Sequence, residues 1–498
     1  MAHRRTLSST AVVPWLLLVV AFLARLVPVL RGGGLHGILA YDDGVYFGAA
    51  DSLLSGRLPY RDFLFLHPPG VLLVLAPFTG LARVTSDPTG FAVARLAFMA
   101  VGALNAVLAY AVARRAGRVA GIAAGVLYAL WGPAVYAERT TLLEPLVNLG
   151  VLGALALLGD GRSLPRRRLV LAGVVLGAAV AVKLWAVMPL VVIVVWVLRR
   201  SGRSAGLVLT AAAAVTSATV VLPFLAAAPR AMVRMVVLDQ LGRPDNGVST
   251  LVRLSGVTGN YHAAGSTLHT ATLLTVAVVV ALVAVSAVAA AVAAPTARVW
   301  VAMLVAQSGL LLAGPAYYDH YATFIAPALV LVVGTGVELL VTRVRERVPR
   351  LVPVAAVACL AGLALVAVTG PVHREGRRVP TELVAAAVGS ARCVRADSTS
   401  ALIATDLLTR DLRRDCPLTV DVTGLTYDLA SSQLDEGRPG ASRRTDAAWQ
   451  HFLRHWVSRD GPLIVVQPGA DGYGPAARAL LRSNRVLLRT DQLTVYAE

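Results

Sequence analysis

The chain has 498 residues, 57% of them hydrophobic and 15% charged, with a mean hydropathy of +0.69. Soluble domains carry roughly 25% charged residues, so this composition excludes a wholly soluble protein and marks a polytopic membrane protein with some soluble mass attached. The net charge of +18 is not gathered into a nucleic-acid surface; its arginines fall in short clusters between apolar runs, which is how topology signals look, and membrane lipids are the expected partner of the charge.

In chain order, the spacing and length of the apolar runs predict about eleven membrane spans, at 12–30, 91–113, 118–137, 141–159, 168–182, 184–198, 205–228, 270–294, 298–314, 320–341 and 351–370. The first is read as a retained span, because no small-residue cleavage site follows it. With this count the clusters His3-Arg4-Arg5, Arg114–Arg118, Arg162–Arg168, Arg199–Arg203, Arg298 and Arg343–Arg350 all fall on one side, the cytoplasmic one with the N-terminus. The run Pro69–Thr85 is near the lower limit for a span and would break that alternation, so it is laid on the outer membrane surface. The outer loops are then 31–90, 229–269 and the short turns near Glu138, Lys183 and Asp319. They hold nearly all the chemically capable side chains, away from ATP, and the chain has no Walker loop. A reaction on that face needs an activated donor carried on a lipid.

The densest such segment is Tyr41–Gly70, where Asp42-Asp43 precedes a helix-like run and Pro59-Tyr60-Arg61-Asp62 and His67-Pro68-Pro69-Gly70 follow. Two adjacent carboxylates beside a bilayer are costly unless water or a partner holds them. The structural alternative is that they cap the helix beginning near Gly44. Lys183 is the only lysine of the chain, a compact point charge suited to phosphate where arginine is written everywhere else; snorkelling is its alternative role. Arg25 and Arg95 are read as snorkelling side chains, and Tyr317, Tyr318 and Tyr321 as an aromatic belt. Glu144 lies just inside an apolar run, where pairing with Arg139 or Lys183 competes with a role in acceptor or metal binding. His67, His262 and His320 match no metal-ligand spacing; no cofactor is expected, with a divalent metal as the alternative. The loop 229–269, with Asp239-Gln240 and Arg243–Asn246, is placed as acceptor-facing or as a lid.

The segment from Asp42-Asp43 to His67-Pro68-Pro69-Gly70 resembles the first outer loop of GT-C superfamily membrane glycosyltransferases, among them the protein O-mannosyltransferases and the lipid A aminoarabinose transferase. Glu138-Arg139, Glu144-Pro145, Lys183 and Tyr318–Tyr321 extend the resemblance more loosely. Asp-Asp and Pro-Gly stand where Asp-Glu and Pro-Leu are common in the family. The resemblance implies a GT-C-like core and transfer of a sugar from a polyprenyl-phosphate donor, such as decaprenyl-phosphate arabinose or mannose, to a hydroxyl of a cell-envelope glycan, glycolipid or protein. In that reading Asp42 is the general base and Asp43 orients the acceptor or the neighbouring loop. Lys183, Arg139, His320 and Tyr321 hold the donor phosphate, and Tyr60, Asp62, His67, Glu138 and Glu144 bind substrate. The rivals are a transporter or flippase of a lipid-linked glycan, and an inactive scaffold of the same fold. A transporter needs polar residues through mid-span, where Asn105 and Gln307 are the clearest.

The fold class expected is thus a polytopic α-helical membrane module, 1–370, followed by a small extracytoplasmic α/β domain, 371–498. In the latter, strands are predicted at Ala401–Thr405, Leu418–Val422, Leu463–Val466, Arg485–Leu488 and Leu493–Tyr496, and helices at Thr381–Cys393, Thr445–Val457 and Gly474–Arg482. Cys393 and Cys416 then lie in an oxidising space, where they either pair or remain as two buried thiols.

Overall fold

A computed structural model describes residues 9–162, 164–243, 246–259, 267–347, 376–426, 443, 446–466 and 472–497. The chain begins with α1 (Ser9–Arg31), α2 (Tyr41–Leu54), α3 (Gly70–Val84), α4 (Asp87–Ala113), α5 (Arg118–Leu130) and α6 (Gly132–Glu138). It continues with α7 (Glu144–Leu158), α8 (Arg166–Val182), α9 (Val187–Ser201) and α10 (Arg203–Ala227), and long helices follow at Thr270–Ala293, Arg298–Ala313 and Ala326–Arg347. Among the described residues seven helices are long and apolar enough to cross a membrane, or eight if the bent pair α5–α6 is one span. The chain is a multi-pass membrane protein. Ten of the eleven predicted apolar runs coincide with helices, though α7 and α8 are only 15 and 17 residues long; the run 351–370 lies outside the described residues.

The break between α5 and α6 has a legible cause. Pro133 cannot donate a helical hydrogen bond and its ring would strike the preceding turn, and the axis turns by 55° there. Arg25, from α1, donates to the carbonyl freed at Ala129 (3.1 Å) and to Ala21 O of its own helix (2.7 Å). Arg25 is thus a buried brace and not the snorkelling side chain expected from its position; it is 0% exposed and ion-paired to Glu138.

The helix α3 is folded against α2, α4 and α8. Its first residue explains one departure from the family pattern: a Cβ on Gly70 would lie 2.6 Å from the carbonyl oxygen of Ala181, so no larger residue fits where α3 meets the end of α8. That contact sets the His67 turn beside Lys183.

After residue 376 the architecture changes to a four-stranded sheet of order β1-β2-β4-β3, with β1 Arg395–Ala396, β2 Leu463–Val465, β3 Val486–Arg489 and β4 Thr494–Tyr496. β1 and β2 are parallel, and β4 pairs antiparallel with both β2 and β3. Helices Thr381–Val388, Ala447–Val457 and Pro475–Ser483 pack with it. The last three strands and all three helices fall where the sequence predicts them. Two predicted strands do not form. Ala401–Thr405 belongs to a helix, Thr399–Ala404, and Leu418–Val422 is irregular, while β1 escapes prediction at two residues long. The helix Thr399–Ala404 is buried on every side, and a short apolar run such as its Ala401–Ala404 has no periodicity to separate helix from strand.

That helix is pressed on α2. A Cβ on Gly44 would lie 2.4 Å from the backbone nitrogen of Ser400, so glycine is required for the approach. Ile38 also pairs with Arg377 in an isolated antiparallel bridge. The main hydrophobic core runs without interruption from Phe47 and Phe91 to Leu402 and Leu408, whereas Trp449, Leu453, Trp456 and Leu481 form a second core confined to the C-terminal part. Cys393 and Cys416 are joined by a disulfide with Cα atoms 5.6 Å apart.

Candidate active site

The two adjacent aspartates take different directions because neighbouring residues on a helix do not share a face. α2 starts at Tyr41 after an extended Ala40 that makes no side-chain cap, so the pair sits within the first turn and is not the N-cap anticipated as the structural alternative. Asp43 is fully buried. It receives Arg95 Nε at 2.9 Å and Nη2 at 2.5 Å, the Thr141 amide at 2.9 Å and the Thr141 hydroxyl at 2.6 Å. Arg95 also donates to Leu35 O and Gly37 O, and lies over the Phe91 ring at 3.8 Å. Arg95 is therefore not a snorkelling side chain, and Asp43 meets the protein rather than a substrate: it fixes the loop after α6.

Asp42 faces the other way, into a cleft, with 36% of its side chain exposed. His320 Nε2 is 3.9 Å from Asp42 Oδ2 and 3.9 Å from Glu144 Oε1. Glu144, at the first residue of α7, accepts from Lys183 Nζ at 2.5 Å. Lys183 ends α8 in an extended conformation and lies 4.5 Å from the centroid of Trp185 and 4.6 Å from that of Tyr321, a cation between two π faces. Arg243 donates to the Tyr321 hydroxyl at 2.5 Å. Carboxylate, imidazole, carboxylate and ammonium thus run in sequence along the cleft, with a guanidinium beside them.

Desolvation is the main force on Asp42, and the nearby negative charge of Asp421 adds to it. Together they push its pKa from 3.8 up to about 7, against the lowering effect of Arg243 and Lys183. A carboxylate poised near neutrality is suited to taking a proton. His67 sits edge-on to Tyr46 at 5.6 Å; burial, then the charges of Lys183 and Arg243, hold its pKa well below the usual histidine range, so it enters neutral. A narrow crevice is lined by His67, Lys183, Trp185, Gln240 and Tyr321, among others.

Of the residues expected to bind donor phosphate, Lys183, His320 and Tyr321 come together here, and Tyr317 and Tyr321 are buried rather than forming a belt. Arg139 is buried and stacks over Tyr136 at 5.0 Å. Among the expected substrate ligands, His67 and Glu144 reach the cleft and three do not. Glu138 is sealed by Arg25 Nε (3.0 Å), Asn105 (3.1 Å) and the Tyr128 hydroxyl (2.7 Å). Tyr60, in a left-handed conformation at φ 69°, gives its hydroxyl to the carbonyl of His67 at 2.6 Å and so holds that turn. Asp62 closes its own turn by accepting from Leu58 N and pairing with exposed Arg61. Sequence reasoning passed over Trp185 and Asp421, and named Gln240 and Arg243 only as members of the loop 229–269. By position alone the loop 229–269 reads as acceptor-facing or a lid; among its described residues, Gln240 donates to Leu66 O at 2.7 Å and Asn246 to Tyr317 O at 2.7 Å, so the chain around Arg243 straps from the turn before His67 to Tyr317. Among the described residues no group of three His, Cys, Asp or Glu side chains gathers as metal ligands, and His262 lies outside them.

The helical membrane body with its charged cleft has the fold of the GT-C glycosyltransferases. ArnT from Cupriavidus metallidurans, in a structure bound to undecaprenyl phosphate, superposes with a TM-score of 0.61 at 16% identity over 98% of each chain. The Archaeoglobus fulgidus oligosaccharyltransferase, in a complex with Zn and sulfate, gives 0.57 at 10% identity over 92% of this chain and 68% of its own. No curated protein matches the chain. The model of glycosyltransferase family 87 matches residues 65–315, half of the sequence, and the chain belongs to that family. The match takes in His67, Glu144, Lys183 and Arg243, and leaves Asp42, His320 and the C-terminal sheet outside it.

Proposed function

We propose that this glycosyltransferase moves a sugar from a polyprenyl-phosphate donor to a hydroxyl of a cell-envelope glycan, glycolipid or protein on the outer face of the membrane. The observation that carries the reading is the pairing of opposites across one cleft: Asp42, exposed enough to meet a hydroxyl, opposite Lys183 and Arg243, which suit a phosphate. The undecaprenyl phosphate in the ArnT structure supports the donor class. In the step, Asp42 takes the acceptor proton while the acceptor oxygen bonds to the anomeric carbon. The bond from that carbon to the phosphate oxygen breaks, and its electron pair leaves with the phosphate. Lys183, held in place by Glu144 and two aromatic rings, and Arg243 stabilise the growing charge. A single displacement of this kind inverts the anomeric centre.

Orientation follows from the arginine clusters, which put the N-terminus in the cytoplasm and the domain 371–498 outside, and the Cys393–Cys416 disulfide favours the same assignment. Eleven spans within 1–370 complete it; maleimide labelling of single cysteines at Arg115 and Asp415 should find only the latter accessible from outside. A flippase is disfavoured because the mid-span polar groups serve the fold: Asn105 binds Glu138 and Pro145 O, and Gln307 donates to Phe324 O. No cofactor enters the reading, and a chelator should leave transfer unchanged.

The deciding experiment is transfer of radiolabelled sugar from synthetic decaprenyl-phosphate arabinose and decaprenyl-phosphate mannose in membranes carrying the wild type or Asp42→Asn. Label in an envelope fraction with the wild type alone supports the reading. Full turnover by Asp42→Asn removes Asp42 as base, and no transfer from either donor by folded wild type removes both sugars.

A further inference from the structure

The hydrogen bonds around Tyr41 link two parts of the chain 380 residues apart. The Tyr41 hydroxyl donates to Asp421 Oδ1 at 2.9 Å and accepts from the amide of Thr423 at 2.9 Å. The same Asp421 oxygen takes the Gly424 amide at 2.7 Å, which closes a tight turn. Thr399, on the helix seated against α2, donates its hydroxyl to Val420 O at 2.6 Å and holds the strand of chain leading into that turn. Tyr41 is the first residue of α2 and Asp42 the next. The turn 421–424 therefore grips the end of the helix that carries the base, and its carboxylate stands close enough to act on Asp42 electrostatically.

We propose that the C-terminal domain completes the active site: Asp421 is a positioning residue that fixes the first turn of α2 through Tyr41 and places a second negative charge beside Asp42. This rests on Asp42 being the base. Two carboxylates that share a site do not ionise independently. The negative charge of Asp421 makes the ionised Asp42 a stronger base than it would otherwise be, while the turn keeps its carboxylate aimed into the cleft. The other groups acting on Asp42 are Arg243 from the strap, Glu144 from α7, Lys183 after α8 and His320 from the turn before the last described membrane helix. Arg243 and Lys183 oppose the effect of Asp421, so its removal tips the balance toward them. The domain is then a working part of the enzyme, and its docking on Gly44 is a condition of activity.

The test uses the full chain in detergent or membranes with three variants. Asp421→Asn keeps an acceptor oxygen for Tyr41 and Gly424 and removes only the charge. Tyr41→Phe keeps both charges and removes the bridge. Asp42→Asn identifies the infrared carboxyl band that belongs to Asp42. In pH-difference infrared spectra, Asp421→Asn should move the Asp42 titration to lower pH by about half a unit or more, and the acid limb of transfer from decaprenyl-phosphate mannose or arabinose should move with it. Tyr41→Phe should lower kcat about tenfold while the limb moves little. An Asp42 band unmoved in folded Asp421→Asn overturns the proposal. Transfer surviving in Asp42→Asn defeats the base assignment instead, and the infrared titration still decides whether Asp421 acts on Asp42.

Discussion

Two neighbouring aspartates should fail in opposite ways when altered, and the difference is measurable. Arg95 and Asp43 are both fully enclosed, and Arg95 ties three pieces together: the α2 terminus, the turn at Leu35–Gly37 and α4. Removing one member of a buried pair strands the other charge in a medium that solvates it poorly, at a cost of about 3–5 kcal/mol. Arg95→Met is therefore expected to lose stability in that range, with Asp43 left holding only Thr141. Asp43→Leu combined with Arg95→Met removes both charges and should recover a substantial part of the loss, giving a strongly non-additive cycle. Asp42→Asn removes a charge that burial already disfavours, so it should not lower stability at neutral pH, and it should reduce transfer by about 10²–10⁴-fold. Chemical unfolding in detergent, followed by circular dichroism with transfer measured in parallel, reads both quantities. A loss below about 1 kcal/mol for Arg95→Met, or an additive cycle, would refute the bracing role of the pair.

Three further outcomes are expected. Lys183→Ala should weaken binding of undecaprenyl phosphate by at least about tenfold, read by quenching of Trp185 fluorescence, with Lys183→Arg recovering only part because the two rings enclose a compact ammonium; equal affinity in wild type and Lys183→Ala would return Lys183 to a structural role. For Asp42 the native pKa is raised from 3.8 to about 7, so the native state binds its proton more tightly than the unfolded chain does. The stability this gives is present below the unfolded value and is lost as pH rises through the native one. Asp42→Asn should thus melt no lower than wild type under mildly alkaline conditions, and transfer should rise with pH through about 7; a variant that melts lower there contradicts the sign. Reduction of the Cys393–Cys416 disulfide, which closes a separation of 23 residues, should cost about 3 kcal/mol and leave the sheet the first part to unfold, as limited proteolysis before and after reduction would show.

The membrane body was legible in the sequence because apolar length is a one-dimensional property. The site was legible only in part, for a physical reason. Lys183 stood out by residue type, and Asp42 by lying next to another carboxylate. Which of the two aspartates faces the cleft depends on where α2 starts, and that is set by the extended Ala40, by Thr141 and by Arg95, from three separate places in the chain. Arg25 and Arg95 were misread because an arginine near the end of an apolar run has the same sequence signature whether it snorkels or meets a buried acid. Asp421 carried no signal: its segment reads as a strand, and its importance comes from a turn that touches Tyr41 from 380 positions away.

Three of the buried acid–base pairs among the described residues form a series that separates structure from chemistry. Arg25–Glu138 and Arg95–Asp43 are both 0% exposed on each side, and extra donors from Tyr128, Asn105 and Thr141 saturate their carboxylates. Such a pair has no remaining capacity for a ligand, and the desolvation of its charges is offset within the fold. Lys183–Glu144 differs. Its ammonium borders the crevice, its neighbours on the open side are aromatic faces, and the next charged groups are His320 and Arg243 on a strap that crosses the cleft. An arriving phosphate can replace a π face or share the ammonium with Glu144 without stranding either charge. The saturated pairs therefore hold α1, α2, α4 and α7 in register, and the unsaturated one marks where the lipid-borne anion is expected to bind.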